Sequence, residues 1–106
     1  MTQQLRTILD ELRSRFEALY GERLVHMVLF GSQARGDAEP GSDIDMMVVL
    51  KGPVDSYEEI ERTIGDVAGV SLDHDEVIAC VFVSEEEFER ERSPLMLNVR
   101  REGVAV

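Results

Sequence analysis

Asp43 and Asp45 stand one residue apart at the head of an apolar run, residues 43 to 50. A run this short and apolar reads as a largely buried strand. Side chains alternate along a strand, so both carboxylates emerge on one face. Two neighbouring carboxylates repel unless something positive lies between them. Oxygen ligands of this kind suit Mg²⁺ or Mn²⁺, and Mg²⁺ is usually held by one or two carboxylates together with substrate phosphates. A phosphate cradle is available upstream. Gly31 and Ser32 follow a second apolar run, residues 24 to 30, and open a short helix expected at about 32 to 36. A strand that stops at a glycine and turns into a helix presents free backbone N–H groups with the positive end of the helix dipole behind them. Ser32 is expected to cap that helix and to offer its hydroxyl to a phosphate oxygen. Arg35, about one turn further on, adds a fixed positive charge. The bend and the acids can therefore serve one ligand, a triphosphate with its metal.

The full spacing is Gly31-Ser32-x-Ala34-Arg35-Gly36, five residues, then Ser42-Asp43-x-Asp45 and an apolar strand. It resembles the signature of the DNA polymerase β-like nucleotidyltransferase superfamily. It is most similar to the smallest members, the minimal nucleotidyltransferases found beside HEPN-domain toxins. The resemblance implies an α/β palm: a small mixed β-sheet of three to four strands packed with helices, in the order α-β-α-β-α-β-α-α. It implies one nucleotidyltransferase-like domain over residues 1–106 that binds an Mg-NTP, ATP being expected, and transfers a nucleotidyl group to a hydroxyl. Carried over by position, Gly31, Ser32, Arg35 and Ser42 would hold the nucleotide. Asp43 and Asp45 would hold the metal and form the catalytic pair. The implied partner is a HEPN-type toxin whose tyrosine is AMPylated, or a second copy of the chain.

One element of that pattern is missing. Catalytically complete members of the resembled superfamily carry a third carboxylate on the strand after the next helix. Here that strand is expected at 77 to 83 and holds no acid; Ala79 and Cys80 stand where one is looked for. Asp75 and Glu76, just before it, are the candidates for a third acid. Two readings follow: an active nucleotidyltransferase, or a binding module of the same fold that acts by complex formation as an antitoxin or regulatory subunit.

Composition bounds the class. The chain has 106 residues, 43% apolar and 31% charged, a globular balance for one modest core. No apolar run approaches the ~20 residues of a membrane span. A single cysteine permits no internal disulfide and fits a reducing, cytoplasmic setting. The net charge of −11 argues against a direct grip on nucleic acid, which depends on Lys and Arg neutralising phosphates. It does not argue against a nucleotide whose metal brings the counter-charge.

The elements that must position the site follow in order. Residues 2 to 20 read as an amphipathic helix with Leu5, Ile8, Leu9, Leu12, Phe16 and Leu19 inward, ended by Gly21. Ser56 and Glu59 spell a capping box for a helix with Ile60, Ile64 and Val67 inward, expected to end near Gly69. The strand at 77 to 83 is continuously apolar and is expected at the centre of the sheet. A second capping box, Ser84 with Glu87, opens a short acidic helix, and Ser93-Pro94 opens the last one, with Leu95, Leu97 and Val99 as its apolar content. Residues 104 to 106 are expected to add an edge strand. Asp73, His74, Asp75 and Glu76 read as an acidic turn, and Cys80 as a small core residue.

Overall fold

A computed structural model describes residues 1–106. Helix α1 (Gln3–Tyr20) is capped by the Thr2 hydroxyl, which accepts from the Leu5 amide, and ends at Gly21, whose φ of +56° favours glycine. A 3-10 turn leads into strand β1 (Leu24–Phe30), and the five-residue helix α2 (Gly31–Arg35) follows without a break. Strand β2 (Ile44–Leu50), helix α3 (Ser56–His74), strand β3 (Ile78–Ser84), helices α4 (Glu85–Arg90) and α5 (Pro94–Glu102) and the short strand β4 (Val104–Ala105) complete the chain.

The sheet order is β3-β2-β1-β4. Strand β1 runs antiparallel to β2 and β4, and β2 runs parallel to β3. Helices cover both faces. On one, Leu5, Ile8, Leu9, Leu12 and Phe16 of α1 meet Met27, Leu29, Ile44, Met46, Val48, Leu50 and Phe82. On the other, Met96 and Val99 of α5 meet Val28, Met47, Val49 and Val83. Strand β2 is thus buried from both sides, which is why its sequence is apolar without alternation. The expected mixed α/β architecture is the observed one.

Several local expectations are corrected. Leu19 is exposed and Tyr20 is buried in its place. Helix α3 is capped by Asp55, whose carboxylate accepts from the Tyr57 and Glu58 amides; the Ser56 hydroxyl instead donates to the Phe82 carbonyl at 3.3 Å. The helix continues past Gly69 to His74, so Asp73 and His74 lie in its last turn. His74 holds this extension against Glu11 of α1 at 2.7 Å, and Arg15 to Asp66 at 3.3 Å joins the same two helices nearer the middle of α3. The hydrogen bond to His74 holds the Glu11 carboxyl below the usual glutamate range.

The buried face of α3 carries Glu59, Thr63 and Val70, while Ile60 and Ile64 point outward. Glu59 is tolerated there because Tyr20 donates to it at 2.7 Å, Arg23 at 3.1 Å and Arg62 at 3.0 Å. Burial alone would raise its pKa, but these three donors outweigh it and hold the group ionised. Strand β3, expected at the centre, lies at the edge of the sheet, with β2 as its one strand neighbour and α3 packed against it. In α5 the buried residues are Met96 and Val99, and Leu95 and Leu97 face outward.

Candidate active site

Strand register brings the two halves of the motif together. Phe30, the last residue of β1, pairs with Asp45, so Gly31 emerges beside the Asp45 carboxylate. A Cβ built on Gly31 would overlap the Asp45 side chain and lie 3.3 Å from its Cγ. Gly31 also has φ +75°, a conformation L side chains rarely adopt. Only glycine meets both demands, so the bend and the acid share one surface.

Helix α2 begins at Gly31 with Phe30 as N-cap, and no side chain caps its first amides. The expectation that Ser32 caps the helix is therefore corrected: Ser32 lies inside the first turn, half-buried, and its carbonyl accepts from the Gly36 and Asp37 amides. The turn ends at Gly36, φ +82°. Ser42 closes the following loop. Its hydroxyl accepts from the Glu39 amide at 3.0 Å, and its carbonyl accepts from Gln33 Nε2 at 3.5 Å. Gln33 thus ties α2 to the residue before Asp43, a link invisible in a motif that leaves position 33 free.

Asp43 lies exposed just before β2, and Asp45 is half-buried at its second position. Burial raises the Asp45 pKa above the usual aspartate value; the charge of Asp43 adds to the rise, and Arg35 opposes it. The two carboxylates therefore sit close enough to repel. Arg35 donates to Asp37 at 3.2 Å and to Glu102 at 3.1 Å, which raises its own pKa. Glu102, on α5, was not singled out from the sequence; it anchors Arg35 from 67 residues away.

The third-acid candidates lie outside the strand. Ile44 donates to the Val77 carbonyl at 2.8 Å, and Ala79 is the register partner of Asp45. Asp75 is exposed and ends α3 in the left-handed conformation, φ +53°. Glu76 lines a small cavity with Gln33 and Ile44. No group of three Asp, Glu, His or Cys side chains is arranged to hold a metal ion. A pair of carboxylates whose repulsion Arg35 offsets only in part fits a hard cation that takes its remaining ligands from phosphate and water. Cys80 is half-buried, and desolvation pushes its thiol up to about 12, which fits a residue at the margin of the core.

Residues 5–99 match the nucleotidyltransferase domain family. A relative from Methanocaldococcus jannaschii named as a protein adenylyltransferase is 43% identical over 47 residues, which is 44% of this chain and 32% of that protein. This chain thus matches about a third of that relative's length. A second protein so named from the same organism is 29% identical over 72 residues, 68% of this chain and 72% of its own. Among solved structures, a toxin–antitoxin with AMP-PNP superimposes with a TM-score of 0.63 at 19% identity, over 89% of this chain and 68% of that one. With a family match over nearly its whole length, and with the fold and the paired motif in place, the chain belongs to the nucleotidyltransferase domain family.

Proposed function

We propose that this protein binds Mg-ATP at the Gly31 bend and transfers an adenylyl group to a hydroxyl on a partner toxin protein. The observation that carries this reading is the contact of Gly31 with the Asp45 carboxylate, which makes one ligand of triphosphate and metal fit both halves of the motif. The free amides at the start of α2 and the Ser32 hydroxyl receive phosphate oxygens. Asp43 and Asp45 would hold Mg²⁺, with Mn²⁺ able to replace it, and the ion would neutralise triphosphate charge. Ser42 shapes the loop that presents Asp43, and Arg35 contributes positive field from its anchor on Glu102. In the transfer the acceptor oxygen forms a bond to the α-phosphorus as the bond to pyrophosphate breaks. Relatives named as protein adenylyltransferases and a toxin–antitoxin of the same fold with AMP-PNP support the choice of nucleotide and acceptor.

Ala79 beside Asp45 favours a second reading. With no carboxylate on β3 to take the acceptor's proton, the fold would serve as a binding module, an antitoxin or regulatory subunit acting by complex formation. Asp75 or Glu76, just before β3, would have to serve the missing role. Incubation with α-phosphate-labelled ATP, Mg²⁺ and a HEPN-type toxin separates the two. Transfer of label that disappears in Asp43→Asn/Asp45→Asn supports the enzyme. A stable complex with no transfer supports the module.

A further inference from the structure

Five of the ten exposed large apolar side chains lie on one flank: Tyr57 at 69%, Ile60 at 46%, Ile64 at 63%, Leu72 at 81% and Val77 at 57%. Positions 57, 60, 64, 68 and 72 recur at helical spacing, and residue 68 is an exposed alanine. They line the outer side of α3, with Glu61 among them. Between this stripe and β3 runs a groove of about 210 Å³ lined by Ile60, Ile64, Val67, Ile78, Cys80 and Phe82. Glu61 and Ser71 share this side of the helix, but apolar clustering on this scale marks a contact surface more than scattered surface residues do.

Charge selects the occupant. Glu58, Glu61, Asp73 and Asp75 border the stripe, and none takes part in an ion pair. Arg62, the one cation on α3, is engaged by Glu59 at 3.0 Å. A second copy would press the same acids, and the same net charge of −11, against this rim. A partner carrying Lys or Arg beside its apolar anchors meets an attractive field instead. Shape selects a helix. The stripe from Tyr57 to Leu72 is about 22 Å long at ~1.5 Å per residue, the length of about four helical turns. Addition of a strand to β3 is blocked at one end, because the Ser56 hydroxyl already occupies the Phe82 carbonyl.

We propose that the α3–β3 flank docks an amphipathic helix of a different chain, with its apolar stripe along Tyr57, Ile64 and Leu72 and Lys or Arg on its margins. The inference goes beyond the proposed chemistry, since it concerns binding alone.

The test uses a labelled synthetic helical peptide of about 18 residues, with Leu at i, i+3, i+4 and i+7 spacing and Lys on the flanking positions. Fluorescence anisotropy compares it with a scrambled peptide of equal composition. The wild-type protein is expected to bind the patterned peptide at least about tenfold more tightly. Ile64→Asp/Leu72→Asp is expected to lose that preference while keeping the wild-type circular dichroism and Mg-ATP affinity. Leu72→Gln alone, at the most exposed position, weakens binding in the same direction. Equal binding of the two peptides, or undiminished binding by the double variant, overturns the proposal. So does a wild-type homodimer in sedimentation that Ile64→Asp/Leu72→Asp dissolves, since the flank would then belong to a second copy. A wild type that binds the patterned peptide but not Mg-ATP would sink the proposed function and leave the docking surface standing.

Discussion

Gly31 carries two constraints at once, a φ of +75° and an Asp45 carboxylate standing where a Cβ would go. Gly31→Ala must strain the bend or displace the acid. The expected cost is about 1–3 kcal/mol of stability, read as a lower denaturant midpoint, together with loss of Mg-ATP affinity. Asp45 should behave in the opposite way. Its pKa is raised by burial and by Asp43, against the pull of Arg35. A carboxyl raised on folding stabilises the protein below its unfolded value, ~3.9 for aspartate, and that contribution is lost as pH rises through the folded value. At neutral pH the ionised group therefore opposes folding. Asp45→Asn is expected to raise the Tm measured in EDTA at pH 7, by the equivalent of less than about 1 kcal/mol because solvent screens a half-exposed group. The same variant should be unable to bind Mg-ATP. The pair of acids and the bend were legible from spacing alone, because a strand's alternation and a glycine's freedom are local properties. The Ser32 cap was not, because Gly31 itself enters the helix and moves the cap back to Phe30.

Helix α3 is where local pattern and tertiary packing disagree. Its sequence offers Ile60, Ile64 and Val67 as an inward face, yet Glu59 and Thr63 are buried. The cause lies on other elements: Tyr20 and Arg23 satisfy Glu59 from α1 and the turn that follows it. No helical periodicity contains that information. Removing the carboxylate orphans the buried Tyr20 hydroxyl, while Arg23 keeps the Lys51 and Pro53 carbonyls, so Glu59→Ala is expected to cost about 1–3 kcal/mol. The acid limb of the stability curve carries the same signature. Donors hold the Glu59 pKa down, so its contribution is present above the unfolded glutamate value, ~4.3, and is lost as pH falls through the lower folded value. Thermal melts between pH 7 and pH 3 should fall less steeply for Glu59→Gln than for wild type. Strand β3 teaches the same lesson. Its first six residues are apolar at an edge where α3 and α4 pack on it and a groove runs beside it, whereas continuous apolarity by itself reads as a central strand.

At the scale of the molecule, a net charge of −11 on 106 residues makes self-repulsion a destabilising field. Raising NaCl from about 0.01 to 0.15 M shortens the Debye length from about 30 to 8 Å and is expected to raise the Tm. A flat response in a salt series would contradict that view. The same field favours a basic partner and a nucleotide that arrives with its own cation. Sheet order and strand register place the bend, Asp43 and Asp45 at one end of the sheet. The central claim is that these residues hold a single triphosphate–metal ligand. Calorimetric titration of ATP into the protein tests it most directly, run with Mg²⁺ and in EDTA on wild type and on Asp43→Asn/Asp45→Asn. Binding that requires Mg²⁺ and vanishes in the double variant is the predicted result. Equal affinity with and without the metal, or in both proteins, would contradict it.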